Sequence, residues 1–180
     1  MWDEEDGFFY DLLRLPDGRS MRLKVRSMVG LLPLCASTVF EGDYLTRYPK
    51  LAEMIALFRK RHPELVSQVD PTDEGFIGYN NRRLLAILNK KKLTRVLRYM
   101  LDENEFLGPH GIRSLSRWHK DHPYVFHVHG EAYTVEYLPA ESTNGMFGGN
   151  SNWRGPVWFP MNALIIRGLL QFYMYYGDSF

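Results

Sequence analysis

Hydrophobic and polar positions along the chain fall into two rhythms. From Gly7 to Lys24, the run Phe8 to Leu15 and the run Ser20 to Lys24 flank Pro16-Asp17-Gly18-Arg19, which reads as a β-hairpin around a tight turn. From Val25 the apolar positions Val25, Met28, Val29, Leu32, Cys35, Ala36 and Val39 step by three or four, which predicts a buried helix that Pro33 kinks or breaks. Leu51, Met54, Ile55 and Phe58 repeat the helical step, with Arg59, Lys60 and Arg61 in the last turn and His62-Pro63 as the stop. Turn formers dominate Asp70 to Asn81. A helix is then expected from about Arg82 to Leu101, with Leu93, Val96, Leu97 and Met100 as its apolar stripe and Lys90, Lys91 and Lys92 on its solvated face. Alternation returns in Val125 to His129 and Ala132 to Tyr137, a second hairpin about Gly130-Glu131. A final helix is expected to start near Val157, with Met161, Leu164, Ile165, Gly168, Leu169, Phe172 and Tyr176 on one face and Asn162, Arg167 and Gln171 off it.

Composition narrows the class. Aromatic content is 14%, high for a chain whose hydrophobic (45%) and charged (24%) contents are ordinary, and extra aromatics suit a carbohydrate or apolar-ligand cleft. The net charge of +1 supplies no field for nucleic acid or an anionic membrane, so neither is expected as a partner. The lone Cys35 excludes an intrachain disulfide and, in its apolar run, reads as a structural thiol. The acidic start Met1-Trp2-Asp3-Glu4-Glu5-Asp6 is not a secretory signal, and no run matches a membrane helix, so a cytoplasmic location is the expectation. The chain starts and stops against structured patterns, with no polar tail at either end. Residues 1–180 are therefore expected to be a single segment of a larger domain, truncated at both ends.

The densest chemistry lies in Asn150 to Trp158, where two tryptophans, an arginine, amides and a Gly-Pro bend fall within nine residues. An indole face stacks on the apolar C–H face of a sugar while amides and guanidinium take its hydroxyls. The competing reading places both tryptophans in a core beside a helix start. Consecutive carboxylates at Asp3 to Asp6 read as solvated, since calcium loops alternate their ligands. His127 and His129, two apart on a presumed strand, share a face but have no third ligand in register, so no metal is expected.

Three stretches then point to a family: Trp2-Asp3-Glu4-Glu5-Asp6-Gly7-Phe8-Phe9-Tyr10-Asp11, Gly111-Ile112-Arg113-Ser114-Leu115-Ser116, and Asn152-Trp153-Arg154-Gly155-Pro156-Val157-Trp158 followed by Asn162. In this order the chain resembles glycoside hydrolase family 63 and the related mannosylglycerate-hydrolase-like glucosidases. The resemblance implies a mainly α fold, part of an (α/α)6 toroid of helical hairpins, here with two short β-hairpin insertions. It implies an inverting α-glycosidase acting on glucosides or related oligosaccharides, in which one carboxylic acid protonates the glycosidic oxygen and a second carboxylate activates water, with no cofactor. It places the acid in an Asp loop upstream of Trp2 and the base in a Glu loop downstream of the last helix. The 180 residues are accordingly expected to be inactive without the remainder of the domain.

What the resemblance carries onto this sequence is a substrate-binding set: Asn152, Trp153, Arg154, Gly155, Arg113, Ser114, Trp2 and Asp3. Trp153 would stack on a sugar and Arg154 would bind hydroxyls or brace a carboxylate. The alternatives are an interhelical salt bridge or helix cap for Arg154 and a loop-organising role for Arg113. Glu141 and Glu105 are the remaining candidates for a catalytic carboxylate within the chain. A non-catalytic carbohydrate-binding or scaffolding helical module remains the competing function.

Overall fold

A computed structural model describes residues 1–66, 77–140 and 155–179. In chain order the elements are β1 (Trp2–Asp3), β2 (Phe8–Phe9), β3 (Asp11–Arg14), β4 (Ser20–Leu23), a 3-10 turn (Met28–Cys35), β5 (Ser37–Phe40), α1 (Tyr44–Arg47), α2 (Pro49–Arg61) and α3 (Pro63–Val66). They continue with β6 (Arg83–Ala86), α4 (Lys90–Met100), β7 (Leu107–Gly108), β8 (Gly111–Ile112), a 3-10 turn (Arg117–Lys120), β9 (Tyr124–Val128), β10 (Glu131–Val135) and α5 (Phe159–Tyr176). The mainly α composition expected from the sequence is overturned. Of the described residues 43% are helical and 25% strand, and they build five two-stranded antiparallel sheets where two hairpins were expected.

Two helices expected from periodicity account for much of that difference. The Val25 to Val39 run forms the 3-10 turn with Pro33 inside it, and the Ser37 hydroxyl donates to the Leu34 carbonyl where the turn ends. Proline has no N–H for a helical ladder, and the β-branched Thr38 and Val39 that follow enter β5, paired with β6. The Arg82 to Leu101 run is split in the same way. Ala86 and Leu88 are buried while Leu85 and Ile87 are exposed, a period of two. Asn89 then accepts the Lys92 N–H on its side chain and the Leu93 N–H on its carbonyl, starting α4. From there Leu93, Val96 and Met100 are buried as the stripe predicts.

The hairpins follow the sequence more closely. Asp11 pairs with Leu23 and Arg14 with Ser20. Val128 pairs with Glu131, which leaves His129-Gly130 as a two-residue turn at φ 50° and 82°. His129 therefore sits in the turn rather than on the strand face of His127, and both histidines are exposed. The last helix begins two residues later than expected, at Phe159, and buries Ile165, Gly168, Phe172 and Tyr175, with Leu164 left exposed. A Cβ on Gly168 would stand 2.4 Å from the Leu34 carbonyl oxygen, so the helix backbone approaches that turn only without a side chain. No helix among the described residues is long and apolar enough to cross a membrane.

The chain divides into two compact units, Met1–Leu32 with Thr94–Ala163, and Pro33–Leu93 with Leu164–Phe180. In the first, an aromatic core gathers around the fully buried Phe8, stacked on Phe106 at 5.8 Å and edge-on to Tyr99 at 5.2 Å, with Met28, Leu31, Val96 and Leu115 buried around them. In the second, Leu34, Leu88, Leu93, Ile165 and Phe172 are buried, with Ser37 a buried polar residue among the described ones.

Candidate functional site

The polar chemistry of the first unit is organised by one pentapeptide, Arg22-Leu23-Lys24-Val25-Arg26, which leaves β4 at Leu23 and turns tightly about Lys24, the Val25 N–H donating to the Leu23 carbonyl at 2.7 Å. Its three cations recur every second residue, and each meets a carboxylate. Arg22 donates to Asp3 at 3.1 Å and to the Trp2 carbonyl at 3.0 Å. Lys24 lies 3.1 Å from Asp6, 3.7 Å from Asp3 and 3.9 Å from Glu5. Arg26 donates to Glu105 at 2.5 Å. The turn between β1 and β2 is itself tied by the Asp6 N–H donating to Asp3 at 2.9 Å. That bond, reinforced by Lys24 and Arg22, holds the buried Asp3 carboxyl below its ordinary range against the opposing effect of burial.

Carboxylate oxygens of Asp3, Glu5 and Asp6 lie within 4.8 Å of one another, the spacing of a cation site. The Lys24 ammonium already reaches all three, so a side chain supplies the charge that a metal would bring. Trp2 packs its ring edge on Phe9 at 4.8 Å and has the Arg95 guanidinium 5.6 Å from its centre.

Glu105 occupies a more enclosed position. One carboxylate oxygen takes the Arg26 bond and the other takes the Ser116 hydroxyl, whose oxygen in turn accepts the Trp118 N–H at 3.0 Å. Burial pushes the Glu105 carboxyl above its ordinary value, and the Ser116 and Arg26 bonds only partly oppose it. Arg26 lies 4.5 Å from the Trp118 ring and 5.0 Å from the Tyr99 ring, so its guanidinium is flanked by π-faces as well as by a carboxylate. Tyr10 donates to Asp6 at 2.8 Å, and burial together with that carboxylate raises its pKa well above the usual phenol range. His119, fully buried, accepts the Arg26 backbone N–H on Nε2 at 2.9 Å and meets the His122 carbonyl through Nδ1 at 2.9 Å. Those partners require a neutral ring with its proton on Nδ1, in keeping with a pKa lowered chiefly by burial.

The segment Gly111 to Ser116 is a frame for two other stretches of chain. Arg113 is buried and donates to the carbonyls of Glu103, Glu105 and Leu107, which makes it the organiser of the turn that presents Glu105. Ser114, also buried, accepts the Met28 N–H on its carbonyl at 2.8 Å and the Gly155 N–H on its hydroxyl at 2.9 Å, and its own N–H donates to the Pro156 carbonyl at 3.0 Å. Ser116 donates its N–H to the Arg26 carbonyl. Asn162, at the start of α5, reads both backbone groups of Ile112 and also donates to the Trp158 carbonyl. Gly155 has φ 139°, and a Cβ there would lie 2.3 Å from the Tyr137 ring, so only glycine fits between Ser114 and Tyr137.

The sequence-picked residues Asp3, Arg113, Ser114, Glu105 and Gly155 thus lie in the first unit's hydrogen-bonded framework, with Trp2 packed on Phe9 beside it. Asn152, Trp153, Arg154 and Glu141 fall outside the described residues. Sequence reasoning missed Tyr10, Arg26, Trp118 and His119. The signal available for Arg26 was the two-residue recurrence of cations after the first hairpin, and for Trp118 and His119 their position directly after Gly111 to Ser116.

Residues 72–178 match the mannosylglycerate hydrolase MGH1-like glycoside hydrolase domain. Over all 180 residues the chain is 43% identical to an uncharacterized protein of Saccharomyces cerevisiae, of which it covers 16%. Over 83 residues, 46% of the chain, it is 37% identical to a probable mannosyl-oligosaccharide glucosidase of Schizosaccharomyces pombe, of which it covers 7%. The chain thus spans a small part of the length of the relatives it matches. With that match running through the Glu105 turn, the Gly111 to Ser116 frame and the Gly155-Pro156 bend, the chain belongs to the MGH1-like glycoside hydrolase family.

Proposed function

We propose that this chain builds one wall of the sugar pocket of an inverting α-glycosidase that hydrolyses glucosides or related oligosaccharides. The observation that carries the reading is the pair of bonds from Ser114 to the Gly155 N–H and the Pro156 carbonyl, the two residues that follow Trp153 and Arg154 in the chain. A ligand-stacking indole and a hydroxyl-binding guanidinium act only from a held backbone, and the stretch that follows them is anchored at Gly155 by Ser114 and at Trp158 by Asn162. In this reading Trp153 stacks on the sugar, Arg154 and Asn152 take hydroxyls or brace a carboxylate, and Arg113 acts through the Glu105 turn. Trp2 and Asp3 border the same pocket.

Inversion needs an acid and a base about 6.5–9.5 Å apart, and the base must have an oxygen open to a water. Both oxygens of Glu105 are committed, to Arg26 and to Ser116. Glu105 therefore serves as a positioning group, and the acid and base come from elsewhere in the polypeptide, as the greater length of the relatives permits. The 180 residues alone are then inactive.

The test is hydrolysis of α-linked glucose disaccharides by the full polypeptide, with the anomer of the first product read by NMR. Release of the β-anomer, with kcat/KM lowered about a hundredfold or more by Arg154→Ala and Trp153→Ala, is the expected result. Retention of configuration, or full activity in both variants, would overturn the reading. Sugar binding with no turnover would favour the carbohydrate-binding module instead.

A further inference from the structure

His119 is withdrawn from water completely, and both of its ring nitrogens are spent on backbone groups. Nε2 accepts the N–H of Arg26, 93 residues away in the chain, and Nδ1 donates to the His122 carbonyl. A leucine would fill the same space without the cost of burying a polar ring, so what the imidazole adds is this pair of bonds. They hold the turn Arg117–Lys120 from the side-chain side, and the backbone of His119 carries the fixation outward. Its N–H donates to the Ser116 carbonyl at 3.2 Å and its carbonyl accepts the Tyr137 N–H at 3.3 Å. Tyr137 in turn sets its ring against Gly155, where a Cβ would lie 2.3 Å from that ring. The Gly155 N–H is also the one that the Ser114 hydroxyl accepts at 2.9 Å. His119 and Ser114 thus reach one bend by separate routes, the first through an aromatic ring and the second through a hydroxyl.

We propose that His119 is a positioning residue for sugar binding, acting through Tyr137 on the Gly155 bend. This role rests on the glycosidase reading, in which Gly155 belongs to the wall of the pocket. The anchor that matters is the Arg26 bond. The His122 and Ser116 bonds each close over three residues and travel with the turn. Arg26, by contrast, is itself fixed, through its guanidinium on Glu105 and through its carbonyl, which accepts the Ser116 N–H at 2.9 Å. A displaced wall weakens the substrate and its transition state alike, which raises KM and spares kcat. Loss of fold alone removes active molecules and leaves KM untouched.

The test is steady-state kinetics of the full polypeptide on α-linked glucose disaccharides, with kcat normalised to the folded fraction from circular dichroism. His119→Asn, whose amide reaches the Nδ1 position but not the Nε2 position, should raise KM about tenfold with kcat within about twofold of wild type. His119→Gln brings an amide oxygen near the Nε2 position, restores an acceptor for the Arg26 N–H and should hold KM within about threefold. Tyr137→Ala should raise KM about tenfold as well. Combined with His119→Asn it should do no worse than alone, as two changes on one route require. His127→Gln, exposed on β9, should alter neither constant. An unchanged KM in His119→Asn, equal KM values in the Asn and Gln variants, or additive effects at the two sites would each overturn the proposal while the glycosidase reading stands. Should His119→Asn fail to fold, Tyr137→Ala decides, and an unchanged KM there overturns the proposal. No turnover by the wild-type polypeptide would overturn both.

Discussion

Cations cluster in two places in this protein, and the clusters could hardly be used more differently. Along Arg22-Leu23-Lys24-Val25-Arg26 every second residue is a cation, and each finds a carboxylate held in place by the fold. Along α2 the helical repeat scatters Lys50, Arg59, Lys60 and Arg61 around an apolar seam with one carboxylate among them. Residue type does not separate the two, and backbone period and burial do. Within the first cluster burial also ranks the pairs. Arg22 and Lys24 are about half exposed and contribute little through their ion pairs, whereas Arg26 and Glu105 are largely withdrawn from water.

The largest effect should therefore come from Arg26. Arg26→Met leaves the buried Glu105 carboxylate with Ser116 alone and strips the guanidinium from Trp118 and Tyr99, at a cost of about 3 kcal/mol in urea unfolding. Adding Glu105→Leu should recover most of the loss, because the orphaned charge is then gone. A single-variant cost below about 1 kcal/mol would place Arg26–Glu105 with the exposed pairs. Ser114→Ala comes next, at about 2 kcal/mol, since it leaves the Gly155 N–H buried without its acceptor. Hydrogen exchange at that amide should rise in parallel.

A smaller, pH-dependent effect belongs to His119. Its folded-state pKa lies below the ordinary 6.5, so its contribution to stability is complete above that pH and is lost as pH falls through the folded pKa. Protonation sets an N–H against the Arg26 N–H that Nε2 now accepts. Glu105 acts with the opposite sign. Its folded pKa is raised above 4.5, so the cost of burying its charge is present above the folded pKa and is relieved as pH falls toward 4.5. Between pH 7 and pH 5 the wild type should therefore lose stability relative to His119→Gln, measured as the difference in urea midpoints. A difference independent of pH would show that His119 does not titrate in that window.

These effects mark how far the sequence could be read. The first hairpin, the second hairpin, α2 and α5 were legible because local period and turn chemistry agree with the fold there. Met28–Cys35 and Arg83–Ala86 were not, because Pro33 interrupts the helical periodicity of the first run and pairing with Ser37–Phe40, distant in the chain, overrides that of the second. At the candidate site the motif residues Arg113 and Ser114 stood out, yet their work is to bind backbone carbonyls and amides, which one-dimensional spacing does not reveal. Arg26 and His119 are joined by a bond across 93 residues, so no local pattern ties them together.

The smallest expected effect bears on α2. Phe58→Ala should change stability by no more than about 0.5 kcal/mol, because about half of the residue already faces water and its ring neighbour His62, 4.9 Å away, is the C-cap of the same helix. The same substitution at Phe106, fully buried against Phe8, should cost about 3–5 kcal/mol. Phenylalanine is thus its own control, and the gap between the two positions measures how bare the α2 seam is. A loss above about 2 kcal/mol at Phe58 would mean that the seam is packed in the folded chain.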